Sequence, residues 1–184
     1  MNICINNKKL KIGLIAFILY RILVFGLNEK FDLYLMIFGV NQWIINLLVD
    51  VLIIITVDML ILHKKEMLLG VMIFLSVICI VLLLFINLMM HSNKSYFHFK
   101  SPDRSHTLVV EEDSFLLGGW SNFYERRGLI FIKDLKQQIM TDDGYTPFSC
   151  NDYELNWLDN NSVEIIYGFG NEYNTYKKEL IRFD

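Results

Sequence analysis

Two charged side chains stand inside apolar stretches in the first half of the chain, where a charge needs an explanation. Arg21 lies in the first stretch and Asp50 in the second. Charged groups inside a membrane are costly and usually face protein or water. If the two stretches are antiparallel neighbours, both charges fall near mid-membrane, and Asn46, one helical turn before Asp50, shares their face. We predict an intramembrane Arg21–Asp50 ion pair that joins two helices.

Three other interpretations of these charges stay open. The pair could belong to a proton or ion path, although such a path normally needs more polar residues than one pair supplies. Arg21 could instead extend its charged end to the membrane surface. A partner protein could also supply the counter-charge.

A second set of residues suggests binding rather than catalysis. Aromatic side chains beside arginine are enriched where protein interfaces gain most of their binding energy. Alternation along a strand would bury about half of the rings, and burial in the core is the plainer interpretation for any one of them. The candidate partner-binding residues are Trp120, Phe123, Tyr124, Arg126 and Arg127.

No sequence pattern indicates catalysis, a cofactor or a metal ion. A Gly-x-Ser-x-Gly elbow is absent, the four histidines lack zinc-ligand spacing, and Asp142-Asp143-Gly144 does not match a calcium-binding loop. The three cysteines are too scattered for a disulfide framework. We expect Cys150 to be a small core residue, with a lone thiol as the alternative. We therefore predict that the protein is not an enzyme and holds neither cofactor nor metal.

Composition divides the chain into two halves that must position these residues. Hydrophobic residues make up 54% of the chain and are concentrated in the first half. Residues 1–91 carry 7 Lys/Arg against 5 Asp/Glu, whereas residues 92–184 carry 10 against 15. The acidic second half argues against a nucleic-acid partner, because phosphate binding requires a basic surface.

The first half contains three stretches that are long and apolar enough to cross a membrane. A helix needs about 20 apolar residues for one crossing, and the lipid forces the backbone to bond internally. We expect a transmembrane anchor at residues 1–91, with spans at about 10–27, 42–62 and 67–90. The stretch 31–62 is too long for one crossing and too short for two. We therefore expect residues 31–41 to be an interfacial or re-entrant piece.

The positions of the lysines predict how the anchor is oriented. Lys8, Lys9 and Lys11 precede the first span, and Lys64 and Lys65 lie between the second and the third. Basic residues near spans stay on the cytoplasmic side. The N-terminus is therefore expected in the cytoplasm of a multi-pass protein of the cell membrane, and residues 92–184 are expected outside as an extracytoplasmic domain.

The second half alternates polar and apolar residues and contains many turn signals, such as Gly118-Gly119. About seven short strands in about ninety residues indicate an antiparallel sheet or a small sandwich. The expected fold class is an α+β membrane protein: an N-terminal three-helix transmembrane anchor followed by a small antiparallel all-β domain. The expected strands are 107–111, 114–117, 122–126, 129–133, 153–157, 163–167 and 173–183.

Two resemblances rest on this second half. The turn Ser101-Pro102-Asp103, the strand residues 108–110 and 129–135, and the turn Asn156-Trp157-Leu158-Asp159 resemble blade sequence of TolB-type β-propellers, over little more than one blade. Residues 101–183 are also similar to an uncharacterised group of small membrane-anchored proteins from Gram-positive bacteria. The shared stretches are Thr-Leu-Val-Val-Glu-Glu, Phe-Leu-Leu-Gly-Gly and Thr-Asp-Asp-Gly-Tyr at residues 107–112, 115–119 and 141–145. This second resemblance implies location and architecture, and no activity.

These observations favour a non-enzymatic, membrane-anchored extracytoplasmic binding or accessory module that acts on a membrane or cell-surface protein. The alternative is an immunity or stress-protection membrane protein that acts through its transmembrane anchor. A small hydrolase is a third and weaker hypothesis.

Overall fold

The structure is a computed structural model that describes residues 7–62, 69–91, 93–170 and 175–183. Within these residues, three helices precede most of the strands, and the strands form two antiparallel sheets. The chain divides into two compact units, one formed by Met1–Phe31 with Gly39–Met90 and the other by Asp32–Phe38 with His91–Asp184. The expected fold class is confirmed.

The first unit is built from three helices, α1 (Asn7–Phe31), α2 (Gln42–Leu62) and α3 (Leu69–His91). All three are long and apolar enough to cross a membrane. At about 1.5 Å per residue, each is at least as long as the roughly 30 Å hydrocarbon core of a bilayer. Most of their large apolar side chains are exposed, as expected for helices that have lipid as their solvent. The protein is therefore a multi-pass membrane protein.

Five residues between the first two helices form a strand of the β unit. Strand β1 (Leu33–Ile37) pairs antiparallel with β6 (Phe131–Thr141), and Leu33 lies opposite Lys133. This differs from the interfacial or re-entrant piece expected at residues 31–41 and grouped with the anchor. The local sequence could not show this strand, because β1 is as apolar as the membrane helices on either side of it. Its pairing partner in β6 lies about a hundred residues later in the chain. After a two-residue turn, the short strand β2 (Val40–Asn41) leads into α2.

The β unit contains two sheets. The larger one has the strand order β2-β1-β6-β5-β4-β3, and the smaller one has the order β7-β8-β9. The remaining strands are β3 (Ser95–Lys100), β4 (Thr107–Phe115), β5 (Gly118–Arg127), β7 (Tyr153–Trp157), β8 (Ser162–Gly168) and β9 (Tyr176–Arg182).

The two sheets share one hydrophobic core, and the larger sheet has a second cluster. Alternation along β4 sends Leu108 and Val110 into the shared core with Phe123, Phe148 and Ile165, all of them fully buried. The intervening residue of β4, Val109, lies in the second cluster. That cluster contains buried Met36 of β1, Val109, Tyr124 and Ile132. Strand β1 is thus a packed part of the sheet.

The turn between β4 and β5 is displaced from its predicted position. The glycine pair Gly118-Gly119 was expected as the turn and residues 114–117 as a strand. The turn is instead Leu116-Leu117, and the glycines open β5. A side chain on the second glycine would overlap the Thr141 hydroxyl and the Tyr145 carbonyl, so close approach rather than chain reversal explains this glycine.

Candidate functional site

The two charges in the helices form an ion pair in the first unit. Arg21 Nε lies 3.1 Å from Asp50 Oδ1, and the Tyr20 hydroxyl donates to Asn46 Oδ1 at 3.2 Å. Both contacts join α1 to α2. Beside them is an open cavity of about 470 Å³, lined by Arg21, Ile22, Val24, Phe25, Asn28 and Asn46.

The aromatic and arginine residues predicted to bind a partner do not form a common surface. Phe123 is fully buried in the shared core and Tyr124 is buried in the second cluster. Arg126 donates to the backbone of its own turn, at Gly128 and Leu129. The two remaining residues are Arg127, which pairs with buried Glu125 at 2.7 Å, and Trp120, which is half-buried.

A concave polar region of the β unit surrounds Asp152, which the sequence did not single out. A short turn with a buried phenylalanine precedes this aspartate. The buried carboxylate of Glu112 accepts hydrogen bonds from the backbone amides of Phe148 at 2.7 Å and Ser149 at 2.8 Å. Glu112 thereby satisfies amide groups that would otherwise lack partners. The turn fixes the position of Asp152, which immediately precedes β7.

Two tyrosine hydroxyls hold the Asp152 carboxylate. Tyr145 donates to Oδ2 at 2.8 Å, and Tyr176 donates to Oδ1 at 2.9 Å. These hydrogen bonds raise the pKa of Tyr145 and the pKa of Tyr176, because the bound carboxylate favours the protonated phenol. The carboxylate therefore has a fixed position, and each oxygen retains acceptor capacity.

Glycine at position 168 is required for this arrangement. A Cβ atom there would overlap Asp152 Oδ2. The Gly168 amide donates to the Asp152 carbonyl at 3.0 Å. Gly168 therefore lies against both the backbone and the side chain of Asp152. The sequence contained no sign that this glycine makes room for a carboxylate.

Two cavities have Asp152 and Tyr176 in both of their linings. We call them together the Asp152 cleft. Their volumes are about 150 Å³ and about 340 Å³. The first is lined by Tyr145, Asp152, Gly168, Phe169, Gly170, Thr175 and Tyr176, and the second by Asn151, Asp152, Tyr153, Glu154, Ile166 and Tyr176.

The cleft has the chemistry of a site for a donor group or a cation. Asp152 and Glu154 supply carboxylates, and the tyrosines supply ring faces and hydroxyls. At the edge of the cleft, Lys177 Nζ lies 3.1 Å from the centroid of the Phe169 ring, an intramolecular cation–π contact. A guanidinium or ammonium group entering the cleft would meet the carboxylates and the tyrosine ring faces.

Cys150, two residues before Asp152 in the sequence, is an exposed free thiol. The expectation of a small core residue was therefore wrong. The neighbouring Phe148 fills the core instead, and the tight turn leaves Cys150 on the outside. Among the described residues, no group of three or more His, Cys, Asp and Glu side chains is arranged to hold a metal ion.

The two turns that resemble a propeller blade lie in different sheets. Residues 101–103 follow β3 of the larger sheet, and residues 156–159 span the end of β7 in the smaller sheet. No protein-family model, curated protein or solved structure matches this chain.

Proposed function

We propose that this protein is a non-enzymatic, membrane-anchored binding module. Its β unit lies on the outer side of the cell membrane and accepts a basic segment of a membrane or cell-surface protein in the Asp152 cleft. The observation that carries this proposal is the geometry of Asp152, whose carboxylate is fixed by Tyr145 and Tyr176 in an open cleft. A preorganised acceptor of this kind binds without first having to be ordered.

The charge of the second half supports a basic partner. It has 15 acidic against 10 basic residues, and exposed Glu154 adds a second carboxylate at the mouth of the cleft. Arginine fits such a site well, because its planar guanidinium donates in a fork and stacks on aromatic rings. Charge complementarity would also speed encounter with the partner.

The proposed orientation rests on the lysines that flank the helices. The basic residues before the first helix and between the second and third favour a cytoplasmic N-terminus. Three crossings then put the β unit outside. The resemblance to membrane-anchored proteins of Gram-positive bacteria supports the same location.

Site-directed photocrosslinking tests the binding role. A benzophenone amino acid at exposed Thr175, which lines the cleft, is expected to give a discrete protein adduct in intact cells expressing the full chain. Asp152→Asn should reduce that adduct at least several-fold, because it removes the charge that attracts the basic group. The same probe at exposed Asn160, in the turn between β7 and β8, is the matched control and should give no such adduct.

Two results would contradict the proposal. One is the absence of any adduct at Thr175 when the protein is present at its normal level. The other is an adduct that is unchanged by Asp152→Asn, since the aspartate would then have no part in binding.

A second candidate function assigns the activity to the helices. The ion pair Arg21–Asp50 and the cavity beside it give the anchor polar features of its own. An immunity or stress-protection protein that acts through its anchor would use them. Cells expressing Asp152→Asn should then survive envelope stress as well as the wild type, whereas Arg21→Gln should lose protection. The reverse pattern favours the binding module.

A further inference from the structure

The last residue of β4 and the two-residue turn that follows it carry three consecutive apolar side chains on the surface. Phe115, Leu116 and Leu117 are 48%, 82% and 74% exposed. We call these three residues the apolar turn. Single exposed apolar residues are ordinary, but three together at the tip of a hairpin form a local apolar projection that indicates an interaction site.

The backbone conformation of Leu116 is one that leucine rarely adopts. Its φ is 54°, in the left-handed region that favours Gly, Asn and Asp. Hairpin turns normally use those residues for that reason. The turn itself is well held, since the Gly144 amide donates to the Leu117 carbonyl at 2.9 Å. A leucine therefore occupies a strained and exposed position, where a polar residue would suit the turn better.

The apolar turn lies at the end of the sheet where the chain leaves its third helix. His91 is the last residue of α3, and two residues later Asn93 Nδ2 donates to the Ser114 carbonyl at 3.2 Å. Ser95 then pairs with Glu112 in the register between β3 and β4. The turn is thus tied to the residues that emerge from a candidate membrane span.

We propose that the apolar turn inserts into the interfacial layer of the lipid bilayer, on the side where the chain leaves α3. The occupant is lipid, because the turn is hydrogen-bonded to Asn93, which follows the last residue of an apolar helix by only two positions, and that helix is long enough to cross a membrane. Short apolar projections of this kind bury their side chains at the boundary between headgroups and acyl chains. The β unit would then have a second hold on the membrane besides its covalent connections.

Depth measurements on the full chain in phospholipid vesicles test this insertion. With Cys4, Cys79 and Cys150 changed to serine, a nitroxide is attached through Leu116→Cys. We expect oxygen, which concentrates in lipid, to relax this label more than a water-soluble nickel chelate does.

The matched control is Leu158→Cys, at another exposed leucine in a turn. Leu158 is exposed and follows Trp157, whose ring stacks on that of Phe183. The ring centroids of Phe183 and His106 are 5.1 Å apart, which places Leu158 near His106. His106 precedes β4 and the apolar turn follows it, so the two positions lie at opposite ends of a nine-residue strand, about 30 Å long. The chelate should relax the Leu158→Cys label more than oxygen does.

A second measurement leaves Leu116 unlabelled. The wild-type chain in vesicles with an acyl-chain diazirine phospholipid should give lipid adducts on the peptide that contains the apolar turn. The double change Leu116→Asn with Leu117→Ser suits the turn and should reduce the adducts several-fold without lowering the melting temperature, whereas Leu158→Ser should leave them unchanged. The proposal is overturned if the Leu116→Cys label is exposed to water, or if a covering protein shields it from both oxygen and the chelate. It is also overturned if the wild-type chain gives no lipid adducts on the peptide that contains the apolar turn.

Discussion

Glu111 shows how single residues of the β unit are held by burial and charge together. It accepts from Lys94 Nζ at 2.7 Å and from the Tyr96 hydroxyl, and both charged side chains are mostly buried, 18% exposed for Lys94 and 10% for Glu111. Burial also raises the pKa of Tyr96, so that this phenol stays protonated and donates. Loss of one partner would leave a charge in a poorly solvated place.

Glu111→Ala should therefore lower the free energy of unfolding by about 3 kcal/mol, because it strands Lys94. The control is Glu164→Ala, which breaks the exposed pair with Lys178 at 3.5 Å and should change stability by no more than about 0.5 kcal/mol. Urea unfolding of the full chain in detergent, followed by near-ultraviolet circular dichroism, measures both. Equal losses in the two variants would contradict the assigned burial.

The burial of Asp113 predicts how the stability of the protein depends on pH. Burial raises the pKa of this carboxyl, and a hydrogen bond from the Ser114 amide at 2.8 Å opposes the shift only in part. The charged form is therefore disfavoured in the folded state. This cost is absent below the unfolded pKa of about 3.9 and is complete above the raised folded value.

Asp113→Asn removes the charge and keeps the acceptor for Ser114. It should raise the melting temperature at pH 7, and this gain should disappear as the pH falls toward 4. Asp159→Asn is the control of opposite sign, because hydrogen bonds from Ser162 and Asn161 lower the pKa of Asp159. That variant should lose stability at pH 7. Melting curves between pH 4 and 8 separate the two signs, and a loss in Asp113→Asn at pH 7 would contradict the burial argument.

At the scale of elements, strand β1 links the two parts of the sequence. Met36 is 1% exposed and packs with Val109 and Ile132, far along the chain. Met36→Ala should cost about 3 kcal/mol, because it leaves a cavity in this cluster. Phe38→Ala, at a residue that is 98% exposed, should cost less than about 0.5 kcal/mol. A negligible loss for Met36→Ala in the same urea experiment would show that β1 is not part of the folded sheet.

The sequence predicted the elements with strong local signals. Helices at α2 and α3 follow from stretches of about 20 predominantly apolar residues, and the strand Tyr153–Trp157 is confirmed with the same bounds. Strand β1 could not be recognised, because its partner in β6 is about a hundred residues away. The Asp152 cleft was missed for a similar reason. Tyr145 and Tyr176 reach one carboxylate only through the register of the smaller sheet and the turn that precedes it.

At the scale of the whole molecule, the described residues form three apolar helices and a two-sheet β unit that includes strand β1, which lies in the chain between the first two helices. A fragment that starts at residue 92 would lack β1 and leave part of the second cluster uncovered. Tests of binding therefore require the full chain. The proposed role as an outer binding module depends on the side of the membrane on which this unit lies.

Thiol labelling of Cys150 in intact cells tests this central claim most directly. Cys150 is exposed and free, so after Cys4 and Cys79 are changed to serine it reports the location of the β unit alone. A membrane-impermeant maleimide should label it in intact cells to the same extent as after permeabilisation. Labelling that occurs only after permeabilisation would place the β unit in the cytoplasm and contradict the proposed outer binding module.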